Sequence, residues 1–260
     1  MKMTYQTIEL VQEGKTATLY LNRVQSMNAM DVNMLQELTS CLKEIASSDI
    51  KLLFITGRGR AFSAGGDVKT MLSSNDESQF QPVMETIKEM IITLYTLPAI
   101  TVSFLNGAAA GLGLSFALAS DYLIAEKQAK VAMNFINIGL VPDGGGHFFL
   151  KKRLGEHIAK HIIWEGKTLS SDEALQIGMI DSVYEGDTEE QMQLWKMKME
   201  ARPLQAMIAT KNIFSNQETS LLVDTLNLET ENQLQMRKTK DHREGVAAFL
   251  EKRVAQFTGQ

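Results

Sequence analysis

The stretch AFSAGGD, residues 61–67, follows an apolar run, KLLFITG, and precedes one with helical composition. Glycine accepts positive φ and lets other atoms approach the backbone closely, so paired glycines at such a junction can aim bare N–H groups at an electron-rich atom. Taken alone, the heptapeptide reads as an ordinary strand-to-helix turn with Asp67 capping the first free amides. A second stretch, NGAAAGLG at 106–113, repeats the arrangement one strand and one helix later. If adjacent parallel strands deliver both loops to one end of a sheet, their amides can bond a single oxygen, as an oxyanion hole requires. Other nucleophile and base types are present without the pattern that would make them work. Ser63 and Ser115 lie outside any G-x-S-x-G, and no aspartate pairs with His147 in the sequence, so a serine hydrolase is not supported. His147 beside Phe148 and Phe149 reads as a packed or solvent-facing residue behind a site.

The elements that must hold these loops follow from periodicity. QTIELVQEG and TATLYLN read as strands, and DVNMLQELTSCLKEIASS as an amphipathic helix over 31–48. A strand at 51–56, the glycine loop, helices across 67–96, a strand at 99–105 and a helix from about 111 follow. That alternation implies βαβ units and a largely parallel sheet. DYLIAE and KVAMNF suggest further short strands, and GLVPDGGGHFFLKKRLG a tight turn entering a helix. From residue 188 the pattern is almost wholly helical, with Pro203 separating helices. The fold class is α/β with a helical C-terminal portion, divided as a core over 1–195 and helices over 196–260.

Composition narrows the functions available. The chain has 260 residues and a net charge of −5, which argues against nucleic acid and anionic membrane as partners. Cys41, the one cysteine, lies in the 31–48 helix and reads as a packing residue. Residues 97–120 approach the length and apolarity of a bilayer span, but β-branched AITVSF, the Asn106-Gly107 turn and GLGLSFALAS divide them into strand, turn and buried helix. MKMTYQTIEL lacks the features of a secretory signal, and a cytoplasmic location is expected.

LNRVQSMNAM, GRGRAFSAGGDVKTM, LPAITVSFLNGAAAGLGLSFALASDYLIAE, FINIGLVPDGGG, GKTLSSDEALQIGMIDSV and HREGVAAFLEKRVAQF stand in the order of the crotonase superfamily, the enoyl-CoA hydratases and isomerases. Six ordered blocks from about residue 5 to the C-terminus are far more specific than one glycine motif. The resemblance implies a spiral of ββα units, a helical trimerisation region, and assembly as a homotrimer or a hexamer built from two trimers. It implies acyl-CoA thioester substrates, no metal, and no cofactor beyond the coenzyme A carried by the substrate. The thioester oxygen is expected to accept bonds from the amides of Gly66 and Leu112.

Hydratases of the family hold water between two glutamates. Aligning the flanking blocks puts Ser115 and Phe135 at those positions, and neither can act as a carboxylate base. Asp143 remains, in a PDGG turn of the kind that carries the proton shuttle in several isomerase branches. The expected reaction is therefore double-bond migration, with atypical hydration or acyl-CoA binding without catalysis as the alternatives. Burial beside Phe135 and an acyl chain would raise the pKa of Asp143, though helix-start amides could oppose that; the alternative reading is that Asp143 caps the helix GGGHFFLKKRL, and the two roles can coexist. For coenzyme A the resemblance implies a groove made by Gln25, Ser26 and Met27 with Ala64, Asp67, Val68 and Lys69, and contacts from Phe249 and Lys252 on the last helix.

Overall fold

Strands in which every residue is apolar or small must be covered on both faces, and two of them form the centre of the molecule. The computed structural model describes residues 5–67 and 77–260. It sets β3 (Leu52–Gly57) parallel to β5 (Ile100–Leu105), both buried along their whole length. β2 (Thr16–Leu21), β7 (Tyr122–Glu126) and β10 (Ser182–Tyr184) extend the sheet in parallel, and β1 (Ile8–Glu13) closes one edge antiparallel to β2, in the order β1-β2-β3-β5-β7-β10. A second sheet holds β4 (Ala61–Ser63), β6 (Ala108–Ala110), β8 (Lys130–Ala132) and β9 (Thr168–Ser170), in the order β4-β6-β8-β9. Consecutive strands thus step from the large sheet to the small one, three times over: β3 to β4, β5 to β6, β7 to β8. This is the expected spiral, and both glycine loops leave the small sheet where β4 and β6 run parallel.

The helices are α1 (Val32–Ala46), α2 (Phe80–Tyr95), α3 (Leu112–Leu118), α4 (Gly146–Glu165), α5 (Ser171–Gln176), α6 (Thr188–Glu200), α7 (Leu204–Met236) and α8 (Lys240–Glu251). Side chains alternate across a strand, so Leu53 and Ile55 join the main core with Leu38 and Leu42 of α1 and Met90 and Leu94 of α2. Leu52 and Phe54 face the other way, into a second core closed by Met192 and Met199 of α6 and Ile208 of α7. α1 starts where Asp31 accepts a bond from the Met34 amide at 2.9 Å. Cys41 is buried on its inner face, where burial pushes its thiol up to about 12, as befits a packing residue.

Most expected elements are present with these bounds. β4, β6, β9 and β10 were not anticipated, because three residues are too few to show a period. Of the helices expected across 67–96, the described part is the 3-10 turn from 77 and α2; residues 68–76, including Val68 and Lys69, lie outside the described residues. Pro203 does separate α6 from α7, and position 195 falls within α6.

Candidate active site

The first glycine loop is fixed from behind by the 23–30 segment. Ser63, at the end of β4, donates to the Asn28 carbonyl at 2.7 Å and accepts from the Gly65 amide at 3.2 Å. Met30 donates to the Gly65 carbonyl at 2.8 Å, and its own carbonyl accepts from Asp67 at 3.0 Å. Met30 therefore bridges to Gly66 in parallel-strand fashion, bonding the residues on either side of it. The amide of Gly66 is turned to the opposite side and makes no hydrogen bond among the described residues. Asp67, expected as a turn cap, lies 3.1 Å from Arg23, which also pairs with Asp31 at 3.0 Å.

The second loop brings another free donor to the first. Gly111, with φ of 51°, precedes α3, and a helix's first amides have no partner within it. The Leu112 amide is one of them. A Cβ on Gly65, whose φ is 97°, would lie 2.8 Å from the Ala110 carbonyl and 3.6 Å from the Leu112 nitrogen. The two loops are in contact there, and two unclaimed amides on touching loops can share one anionic oxygen.

The PDGGG turn closes against α3. Gly144 and Gly145 have φ of 63° and 78°, and a Cβ on Gly144 would meet the Leu112 side chain at 2.6 Å and Ser115 at 3.1 Å. Only glycine lets the turn sit that close. Ser115 is fully buried and its hydroxyl donates to the Asp143 carbonyl at 2.7 Å, so this side chain anchors the turn. Phe135, in the 3-10 turn Phe135–Ile138, sets its ring edge against Gly111. Gly66, Leu112, Ser115, Phe135 and Asp143 thus gather around the two loops.

Asp143 is buried at 8% exposure, and its Oδ1 has no hydrogen-bond partner among the described residues. Its Oδ2 lies 3.4 Å from the Gln233 amide nitrogen of α7, which donates more closely to the Val141 carbonyl at 2.6 Å. Burial, and then the nearby Glu229 carboxylate, push the Asp143 carboxyl up to about 8. Two expectations are corrected here. Asp143 does not cap α4, and the helix-start amides do not oppose its raised proton affinity. Glu229, 3% exposed on α7, takes those amides, accepting from Gly145 at 2.7 Å and His147 at 3.1 Å. The half-exposed His147 ring, through Nδ1, contacts the same carboxylate at 2.7 Å.

Glu229 and Gln233 were missed in the sequence, where LLVDTLNLETENQLQM stands out by its Leu and Met, which suit burial against a partner subunit. Their spacing of four residues was the available signal, since it places both on one face. Gln25 and Ser26 lie in the 3-10 turn Val24–Ser26, Gln25 exposed and Ser26 bonded to the Arg23 carbonyl at 3.1 Å. Met27 is partly exposed, and its carbonyl accepts from the Ala64 amide at 2.9 Å, so these residues border the first loop. Phe249 and Lys252 stand exposed at the end of α8. That helix lies against the Phe135 turn, where a Cβ on Gly245 would meet the Ile138 backbone at 2.7 Å.

A sequence model described as enoyl-CoA hydratase/isomerase matches residues 12–260. YhaR of Bacillus subtilis, which carries the name enoyl-CoA hydratase/isomerase, is 46% identical over 253 residues, covering 96% of this chain and 99% of that one. The 1,2-epoxyphenylacetyl-CoA isomerase of Escherichia coli is 33% identical over 262 residues, covering 96% and 97%. The crystal structure of an enoyl-CoA hydratase from Mycobacterium avium subsp. paratuberculosis superposes with a TM-score of 0.88 at 26% identity, covering 98% of this chain and all of that one.

Proposed function

The chain belongs to the enoyl-CoA hydratase/isomerase family, and from that membership we propose that it is an acyl-CoA isomerase that moves a double bond with Asp143 as proton shuttle. The observation that carries this reading is a buried carboxyl with an oxygen unpaired among the described residues, on a turn packed against α3, where Ser115 and Phe135 supply no other base. The amides of Gly66 and Leu112 donate to the thioester oxygen as it gains negative charge, which acidifies the neighbouring carbon. Asp143 takes a proton from one carbon of the acyl chain and returns it to another. A carboxyl whose pKa lies near the working pH can do both, which an ordinary aspartate does poorly.

Coenzyme A enters as part of the substrate, along a groove bordered by Gln25, Ser26, Met27, Ala64 and Asp67, with Val68, Lys69, Phe249 and Lys252 as further contacts. The subunits assemble as trimers or paired trimers. Phe214, Leu221 and Leu228 support this: at seven-residue spacing on α7, they are 58%, 56% and 57% exposed and suit burial against a second copy. A monomer in light scattering at micromolar concentration defeats the assembly.

Asp143→Asn tests the shuttle. Double-bond migration is expected to fall by about 10²- to 10⁴-fold with acyl-CoA affinity nearly unchanged. Full activity in the variant, or loss only through unfolding, overturns the reading. Hydration of crotonyl-CoA is expected to be slow, and a kcat at or above about 10³ s⁻¹ would point to a water-holding site instead.

A further inference from the structure

We propose that Glu229 is a positioning residue for this proton transfer: its buried carboxylate fixes the 142–146 turn and sets a standing negative charge beside Asp143. The inference rests on reading Asp143 as the shuttle. Its geometry is on α7. Glu229 Oε2 accepts from the Gly145 amide and Oε1 from the His147 amide, with the His147 ring Nδ1 also 2.7 Å from Oε1, so both oxygens are tied to the turn and the start of α4. Those amides are the positive end of α4, which would otherwise stabilise the ionised form of Asp143. By occupying them, Glu229 removes one influence that lowers the proton affinity of Asp143 and adds another that raises it. Gln233, one turn along α7, holds the Val141 carbonyl on the other side of the same aspartate.

The groups around Asp143 leave Glu229 as its main electrostatic neighbour. On α4, His147 is turned to Glu229. On α3, Ser115 is uncharged and bonded to the backbone. On α8, His242 faces the Ile138 carbonyl at 2.7 Å, and Asp67 of the first loop faces Arg23.

Glu229→Gln in the full chain removes the charge with little change of shape. The carboxyl infrared band of Asp143, assigned by its absence in Asp143→Asn, is then titrated in both backgrounds. Its midpoint is expected to fall by about one pH unit, and the ionisation limb of the isomerase pH profile to move with it. Because a weaker base results, the plateau rate is expected to fall roughly three- to tenfold. A purely structural role would change stability or rate and leave the midpoint in place. If Glu229→Gln does not fold, Glu229→Asp withdraws the charge by one methylene and is expected to shift the midpoint the same way by less. An unmoved midpoint in a folded variant, with Asp143→Asn inactive, overturns the role of Glu229 and leaves the shuttle standing. Full isomerase activity in Asp143→Asn overturns both.

Discussion

Two buried ionisable groups are handled in opposite ways. Lys211 of α7 is driven inside beneath β5, and its ammonium donates to the Ala99 carbonyl at 2.9 Å and to Asp121 at 2.8 Å. Asp121 also accepts from the amide and hydroxyl of Thr101, at 2.8 and 2.9 Å. Burial pushes the Lys211 amine down and Asp121 pulls it back up. Asp143 has no cation beside it among the described residues: its charged neighbour is another carboxylate, Gln233 donates to one oxygen at 3.4 Å, and the other oxygen has no partner among the described residues. A buried charge with its counter-charge and full hydrogen bonding holds structure together, whereas a buried acid denied both is left ready to exchange a proton.

The contrast breaks most sharply through activity. Asp143→Asn costs orders of magnitude in turnover under the proposed function, whereas Lys211→Met is expected to leave the turnover of folded protein unchanged. Lys211→Met instead lowers stability by about 2 kcal/mol in denaturant unfolding. That figure sits below the roughly 3–5 kcal/mol expected for breaking a fully buried pair, because Thr101 still donates twice to Asp121. A Lys211→Met variant as stable as the parent would place the pair among those that contribute nothing.

Stability against pH separates the two regions next. The Asp143 carboxyl, raised from 3.8 to about 8, binds its proton more tightly folded than unfolded. Its contribution is present below the unfolded value near 4 and is lost as pH rises through the folded value. In thermal or chemical unfolding, Asp143→Asn should therefore gain on the parent between about pH 4 and 8, by at most about 1.4 kcal/mol per pH unit. Parallel curves would show that Asp143 is not strongly perturbed. Smallest is Ser115→Ala, which removes the bond to the Asp143 carbonyl and is expected to cost about 1 kcal/mol, with a few-fold loss of turnover. No loss of either would show that the turn is held by its glycines and by α7 alone.

The sequence disclosed these two regions unequally. Strands β3 and β5 were legible because continuous apolar runs between glycine turns have few other readings, and α1 because its apolar face recurs at helical spacing behind Asp31. The glycine loops were legible as turns able to aim amides outward, but AFSAGGD alone reads as an ordinary strand-to-helix turn, and only the resemblance singled out Gly66 and Leu112. That the loops touch was not legible, since Gly65 meets Ala110 only through the pairing of β4 with β6, strands of three residues each. Asp143 was legible as a carboxyl in a turn, but the residues that set its environment were not. Glu229 and Gln233 look like any polar pair on a long helix until tertiary packing turns that face inward.

The clamp on the 142–146 turn reaches across 84 positions of the chain, from Gly145 to Glu229. During synthesis the strands and both glycine loops emerge well before α7 does, and contacts so distant in sequence are the slow ones to form. The aspartate turn therefore acquires its lining late. A chain interrupted before residue 204 would carry the amide donors without the helix that encloses Asp143, leaving that carboxyl open to water and close to its ordinary acidity. Under the proposed function, proton transfer by Asp143 is thus tied to the docking of the last long helix.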